Sequence, residues 1–212
     1  MFKTLKQIAL ATSLTLAAAA SFAAPVTFNV NALAILPGSG YGIDASEASG
    51  TKLDVRFTTI TTNYNFTLNN VGDQYFFKVG TVSFREPDGF SGINAAESNI
   101  ANLNVNALFS FSSPFGGNEQ LQAFGLAQVG SVTDAAVDYQ LTWFANTVQF
   151  SGGSFDFALV PMSFDNNTNP TQDLTAVITL RGISSNQVPE PASLALIGFA
   201  LAGVGFARRK RA

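Results

Sequence analysis

The sequence predicts an all-β fold: a single antiparallel two-sheet β-sandwich, jelly-roll-like, over residues 24–187. Apolar and polar residues alternate with a period of two through much of this segment, as they do in strands with one buried face. Clusters of Gly, Pro, Asn and Asp separate the alternating segments and predict turns. The 212-residue chain has no cysteine and 20 phenylalanines, so we expect a Phe-rich core that forms without disulfides.

The predicted strands with the clearest alternation are residues 53–57, 103–111, 137–143, 155–159 and 174–181. Further strands are predicted over residues 26–35, 63–68, 75–84, 120–128 and 147–150. Trp143 is in phase with Tyr139, so we expect its side chain in the core. The same phase places Val137 inward and Asp138 outward. No helix is predicted within residues 24–187, and residues 93–100 are expected to form a short turn.

The N-terminal residues 1–23 predict a signal peptide helix. Two lysines precede an apolar stretch over residues 8–20, which is too short and too rich in alanine to form a stable transmembrane helix. The predicted signal peptidase site consists of small residues: Ser21, Ala23 and Ala24. We expect cleavage after Ala23, because Pro25 would directly follow a cut made one residue later. An uncleaved membrane anchor is the alternative.

The charge and the composition of residues 24–187 exclude nucleic acid as a partner and exclude chemistry that needs histidine or cysteine. These 164 residues carry five basic and thirteen acidic side chains, so their net charge is 5 − 13 = −8. An acidic segment with scattered basic residues has no electrostatic footprint for nucleic acid. The chain has no histidine and no cysteine, which excludes nucleophiles activated by histidine and ordinary zinc sites. We therefore predict no catalytic residues, no metal and no cofactor.

Two pairs of acidic residues are candidates for the carboxylates of a glycosidase: Glu86 with Asp88, and Asp134 with Asp138. Neither pair has a recognisable sequence context, so solvated turn acids are the preferred interpretation. The Asn- and Asp-rich segment from Asp165 to Asp173 could supply oxygen ligands to calcium. It lacks the spacing of a calcium-binding loop, and an Asn-rich turn explains the same residues.

The C-terminal residues 188–212 consist of three consecutive blocks. The first is a rigid polar motif: Val188, Pro189, Glu190 and Pro191. The second is an uncharged apolar run over residues 192–207, which predicts a short transmembrane helix. Counted from Pro191 the run has 17 residues, or roughly 25 Å of helix, at the short end of what spans a bilayer. The third block, residues 208–212, contains the basic residues that would stop translocation: Arg208, Arg209, Lys210 and Arg211.

This order of motif, short span and basic end resembles the PEP-CTERM sorting signal of Gram-negative bacteria, which an exosortase recognises. The resemblance implies export, transient anchoring in the inner membrane, processing at the motif, and then release or attachment at the cell surface. It implies an exosortase as processing partner and contact with the membrane through the C-terminal helix, while the N-terminal signal peptide implies signal peptidase as a second partner. It implies no activity for residues 24–187. An ordinary C-terminal membrane anchor is the alternative.

For residues 24–187 the sequence favours a non-enzymatic structural or adhesive protein of the extracellular matrix, associated with exopolysaccharide. The alternative is a secreted carbohydrate-binding module. Such a module would need exposed aromatic side chains, and the candidates in or beside loops are Tyr41, Tyr64, Phe90 and Phe115. Three or more coplanar exposed aromatics would favour the module, and a uniformly polar surface would favour the matrix protein.

Overall fold

The computed structural model describes residues 24–44, 50–86, 92–165 and 169–183. Within these ranges the chain forms eleven strands in two antiparallel sheets. In spatial order, the first sheet contains β10 (Met162–Phe164), β7 (Tyr139–Trp143), β6 (Gly117–Ala127), β5 (Asn104–Ser113), β1 (Val26–Pro37) and β3 (Asn63–Leu68). The second contains β2 (Val55–Thr59), β4 (Gln74–Phe84), β11 (Thr171–Ile183), β9 (Gly153–Leu159) and β8 (Asn146–Phe150). The all-β prediction is confirmed.

Aromatic side chains of the two sheets contact each other across the core, as in a sandwich. The ring of Phe28 in β1 meets the edge of Phe155 in β9 at a centroid distance of 5.1 Å. Phe109 in β5 packs on Phe157 in β9 at 4.6 Å, also edge to face. Such pairs bury large apolar areas in favourable geometries. The expectation of a phenylalanine-rich core is therefore correct for this part of the chain.

The predicted jelly-roll connectivity is not seen in β5, β6 and β7. These three strands follow one another in the sequence and pair consecutively within the first sheet. A short turn connects β5 to β6, whereas residues 128–138 connect β6 to β7. In the Greek key from which a jelly roll is built, a later strand returns beside the first of three consecutive strands, but here the strand beside β5 is the earlier strand β1. The hairpin of β8 and β9 likewise stays within the second sheet.

The inward phase of β5 is confirmed, because its inward residues are all buried: Val105, Ala107, Phe109 and Phe111. Trp143 is buried as predicted, with 7% of its surface exposed. The phase predicted for Val137 and Asp138 is wrong. Val137 is exposed and Asp138 is buried, since the strand begins only at Tyr139. Hydrogen bonds from the Asp138 amide to the Phe164 carbonyl and from the Gln128 amide to the Asp138 carbonyl fix this corner.

Residues 93–100 form a turn, as predicted, and a short 3-10 helix follows at Ile100–Asn102. The turn has the reciprocal hydrogen bonds of a capping box. The Asn94 side chain accepts from the Glu97 amide at 3.2 Å, and the Glu97 carboxylate accepts from the Asn94 amide at 2.7 Å. Asn99 then caps the 3-10 helix by accepting from the Ala101 amide.

The residues from Pro25 to Ser184 form one compact unit, and the buried core residues all lie between Val26 and Leu180. The predicted signal peptide helix over residues 1–23 and the predicted transmembrane helix over residues 192–207 lie outside the described ranges. Within those ranges the chain forms no apolar helix of membrane-spanning length.

Candidate functional site

The outer faces of the two sheets differ in charge. The strands of the first sheet contain a single charged residue, Glu119, which lies opposite the buried Phe109 and in phase with the inward residues of β6. The outward residues of these described strands are therefore all uncharged. The strands of the second sheet carry five charged residues: Arg56, Lys78, Asp156, Asp173 and Arg181.

Amide and apolar side chains share the outer surface of β5, β6 and β7. We call this surface the amide face, and it consists of Asn104, Asn106, Gln120, Gln122, Phe124, Leu126, Gln140, Thr142 and Phe144. Asn104, Phe124 and Thr142 lie side by side on three neighbouring strands. Phe144, just after β7, donates its amide to the Gln122 carbonyl at 2.9 Å and so continues the face. The register of the meander thus places aromatic rings between hydrogen-bonding side chains.

Two exposed phenylalanines form an aromatic pair on the amide face. Phe124 and Phe144 have ring centroids 5.4 Å apart and ring planes at 84°, an edge-to-face arrangement. Their exposed fractions are 47% and 51%, although phenylalanine is usually buried. Leu126, the next outward residue of β6, is 56% exposed. Together these side chains form an apolar patch in the middle of an otherwise polar face.

The aromatic candidates predicted from the sequence do not form this patch. Tyr41 is buried in the core, so its prediction as an exposed aromatic is wrong. Tyr64 is half-buried and donates its hydroxyl to the Lys78 carbonyl. Phe115 is half-buried because it packs on Phe111, with centroids 5.2 Å apart. Phe90 lies outside the described residues. All four lie in or beside predicted loops, and the three that the structure describes contribute to packing instead.

Tyr41 and Tyr139 form a buried hydroxyl pair. The Tyr41 hydroxyl donates to the Leu103 carbonyl at 2.9 Å and lies 2.8 Å from the Tyr139 hydroxyl, so Tyr139 donates to Tyr41. Burial raises the pKa of Tyr41 above its ordinary value of 10.0, although the hydrogen bond from Tyr139 partly opposes this shift. Burial, followed by repulsion from Tyr41, raises the pKa of Tyr139 well above the same value. Gly125 leaves room for the pair, because a Cβ there would collide with the Tyr41 hydroxyl.

This pair predicts that the folded protein loses stability in alkali. Above about pH 10 the unfolded tyrosines ionise while the folded ones keep their protons, so stability falls as the pH rises. For two such groups we expect the free energy of unfolding to fall by up to about 2.7 kcal/mol per pH unit. Urea unfolding between pH 8 and pH 11 measures this slope. The double variant Tyr41→Phe/Tyr139→Phe should flatten it, and an unchanged slope in that variant would contradict the assignment.

Four acidic side chains are buried among the described residues: Asp54, Glu86, Glu97 and Asp138. The expectation that Glu86 and Asp138 are solvated turn acids is therefore wrong, whereas Asp134 is exposed. The Glu86 carboxylate accepts a hydrogen bond from the Asp54 amide at 2.9 Å, which ties the start of β2 to the end of β4. Asp88, its predicted partner, lies outside the described residues. These contacts are of a kind that holds loops in place.

Asp44 and Asn94 hold residues 50–52 in place. The Asp44 carboxylate accepts from the Thr51 and Lys52 amides at 2.6 and 3.0 Å. The Asn94 side chain donates to the Gly50 carbonyl at 3.0 Å. The spacing Asn-x-x-Glu, which is a capping-box pattern, is the sequence signal from which the position of Glu97 could have been predicted.

A cleft of about 170 Å³ beside β2 and β4 is lined by Ile43, Asp54, Arg56, Ser83 and Arg85. Two arginines can hold a carboxylate or a phosphate. The buried carboxyl group of Asp54 lies in the same cleft and opposes a bound anion, because like charges repel at this range. The cleft is therefore a weaker candidate for a binding site than the amide face.

Within the described residues, no group of three or more acidic side chains comes close enough together to hold a metal ion. The predicted calcium segment is only partly described, since residues 166–168 lie outside the described ranges. Asp173, at the other end of that segment, forms an ion pair with Lys78 at 2.6 Å on the second sheet. Calcium binding there stays a prediction.

Comparison with known proteins identifies the C-terminal tail. Residues 187–211 match the family model of the PEP-CTERM protein-sorting motif. No curated protein and no solved structure matches the chain. The resemblance predicted for residues 188–212 is confirmed, and the match covers Val188, Pro189, Glu190 and Pro191 as well as the basic residues. All of these residues lie outside the described part of the chain.

The sorting motif indicates an exported protein that an exosortase processes, with a sorting signal anchored in the membrane. The chain is therefore an exported protein of the exosortase-sorted class, and an all-β unit precedes its sorting tail in the sequence. The signal peptidase site at Ser21, Ala23 and Ala24 lies largely outside the described residues and stays a prediction.

Proposed function

We propose that the chain is a non-catalytic structural or adhesive protein of a Gram-negative cell surface or of its exopolysaccharide matrix. The observation that supports the proposal most directly is the sorting motif at residues 187–211, which addresses the chain to an exosortase. After signal peptidase and exosortase have acted, the all-β unit would remain outside the cell. An exported unit without disulfides must be held together by its core alone, and the Phe-rich core suits that requirement.

The second sheet has the surface expected of a soluble matrix protein. Its outward polar side chains pair with one another, as in Ser83 with Thr171 at 2.9 Å and Gln74 with Thr179 at 3.1 Å. Arg181 and Asp156 form an ion pair at 2.6 Å. These polar and charged side chains keep the face soluble. Because they already pair with one another, few of them are available to bind a ligand.

A carbohydrate-binding module is the second candidate, and the amide face favours it. The described residues do not form a platform of three coplanar aromatics. Phe124 and Phe144 are nearly perpendicular, and Phe76, also exposed, lies on the other sheet. The surface of the described residues is not uniformly polar either, so neither criterion for choosing between the two functions is met in full. The two functions are compatible, since a matrix protein that binds polymer through one face would serve both.

Neutralising the basic end of the tail tests whether it anchors the chain. We expect replacement of the four residues Arg208, Arg209, Lys210 and Arg211 by glutamine to weaken anchoring. Moving charged residues across the membrane costs several kcal/mol, and that barrier would be removed. Cell fractionation with an epitope tag in the all-β unit, in a strain without exosortase so that the tail is not removed, should show protein moving from the membrane to the soluble fractions.

The matched control removes exposed positive charge from the all-β unit, with Arg56→Gln and Arg85→Gln. This control should distribute like the wild type. If the neutral-tailed chain stays in the membrane fraction at wild-type levels, the basic residues do not stop translocation.

A further inference from the structure

We propose that the amide face binds an uncharged polysaccharide. This inference rests on the function proposed above, because the protein meets the polymer only if it is exported to the cell surface or matrix. The ligand class is a neutral polymer that carries many hydroxyl groups and presents C–H groups on the faces of its rings.

The polar side chains of the amide face are open to a ligand. The Asn104, Gln122 and Gln140 side chains are exposed, and none of them hydrogen-bonds within the described part of the chain. Gln120 donates to the Asn106 side-chain oxygen at 2.9 Å, which leaves the two N–H donors of Asn106 available. An amide both donates and accepts, so it can bind hydroxyl groups in either role. The second sheet differs, because many of its outward polar side chains already pair with each other.

The aromatic pair gives the amide face a place for apolar contact. Phe124 lies between Asn104 on β5 and Thr142 on β7, in register. A sugar ring that packs its C–H side on Phe124 would therefore have hydrogen-bonding groups on both sides. The edge-to-face contact with Phe144 holds the two rings in a fixed relative orientation, which lowers the entropy that a ligand must remove. Small-molecule sites combine apolar contact and placed polar groups in this way.

Charge selects a neutral polymer over an anionic one. The outward residues of the described strands β5, β6 and β7 carry no charged side chain, so nothing there would pair with a uronate or a sulfate. Residues 24–187 have a net charge of 5 − 13 = −8, which repels polyanions. A hydroxyl-rich neutral polymer meets no such repulsion, and the exposed amides can replace the hydrogen bonds that it makes with water.

The test is native gel electrophoresis of the full-length chain through gels that contain a dissolved polysaccharide. CHAPS keeps the chain in solution without a sugar headgroup that would compete. The neutral probes are hydroxyethylcellulose, dextran and mannan, and the anionic probe is alginate. We expect at least one neutral probe to slow the wild-type chain and alginate to leave it unchanged. The double variant Phe124→Ala/Phe144→Ala should bind that probe about tenfold more weakly.

The matched control is Phe76→Ala, which removes an equally exposed phenylalanine from the second sheet and should leave binding unchanged. Thermal melting of each variant confirms that it is folded. Three results would overturn the proposal: no retardation by any neutral probe, retardation that the double variant keeps, or retardation by alginate alone. Light scattering that shows self-association abolished by the double variant, without polymer binding, would assign the face to a second copy and would also overturn it. Because the full-length chain is used, failure here is independent of whether an exosortase processes the tail.

Discussion

Replacing Pro189 and Glu190 by alanine is expected to leave the protein in the membrane at full length. Proline fixes φ near −65° and disfavours helix in the residue before it, so we predict that the processing enzyme binds Glu190 on an extended backbone. The apolar run over residues 192–207 has only just the length that a spanning helix needs, so we expect the motif to lie at the lipid–water boundary. The double variant keeps the span and the basic end, so export and anchoring should persist while cleavage stops.

Immunoblotting of membrane and soluble fractions measures this effect, with an epitope tag in the all-β unit. The matched control is the double variant Asn186→Ala/Gln187→Ala, which changes two residues immediately before the motif. It should be processed like the wild type. Normal processing and distribution of the Pro189/Glu190 variant would mean that the motif is not read and that the tail is an ordinary anchor.

Replacing Trp143 by alanine is expected to destabilise the all-β unit by about 3–5 kcal/mol. Trp143 is the last residue of β7, is 7% exposed and pairs in register with the buried Ala123. Its loss leaves a large cavity, and no disulfide supports the fold. That cost is a large share of the ~5–15 kcal/mol that stabilises a typical domain. Urea unfolding should be followed by far-ultraviolet circular dichroism, because the substitution removes the only tryptophan.

Two controls separate packing from other effects of the substitution. Trp143→Phe keeps an aromatic ring and removes a buried indole N–H that has no hydrogen-bond partner within the described residues. An unsatisfied buried donor costs about 1–3 kcal/mol, so this variant should be close to the wild type in stability. Phe144→Ala removes a neighbouring ring that is 51% exposed and should cost little. A shift below about 1 kcal/mol for Trp143→Ala would show that the side chain is not part of the core.

The strands were predictable where the alternation is long and regular. In β5 every second residue from Val105 to Phe111 is buried, because one face of the strand meets the core and the other meets water. The three-residue β10 was missed, since Met162–Phe164 is too short to show a period. The alternation predicts the wrong face for Asp138, because its backbone is fixed by hydrogen bonds with Gln128, just after β6, and with Phe164 of β10, which the local sequence does not reveal.

The amide face could not be predicted, because it depends on register rather than on local pattern. Phe124 and Phe144 are outward only once β6 and β7 pair, and the sequence favours the core for any phenylalanine. Closeness to a loop predicts exposure for Tyr41, but this ring packs on Phe57 in the core and its hydroxyl is satisfied there by Leu103 and Tyr139. The sorting signal could be predicted, because its three blocks follow one another in the sequence and their recognition needs no tertiary contact.

Intact-mass spectrometry of the mature protein tests export and sorting most directly, because it locates both processed ends at once. We predict that the mature chain begins at Ala24 and ends at or beside the motif Val188–Pro191, without residues 192–212. A mature mass that starts at Met1, or that still contains the apolar run and the basic end, would contradict the claim that the protein is exported and sorted through its tail.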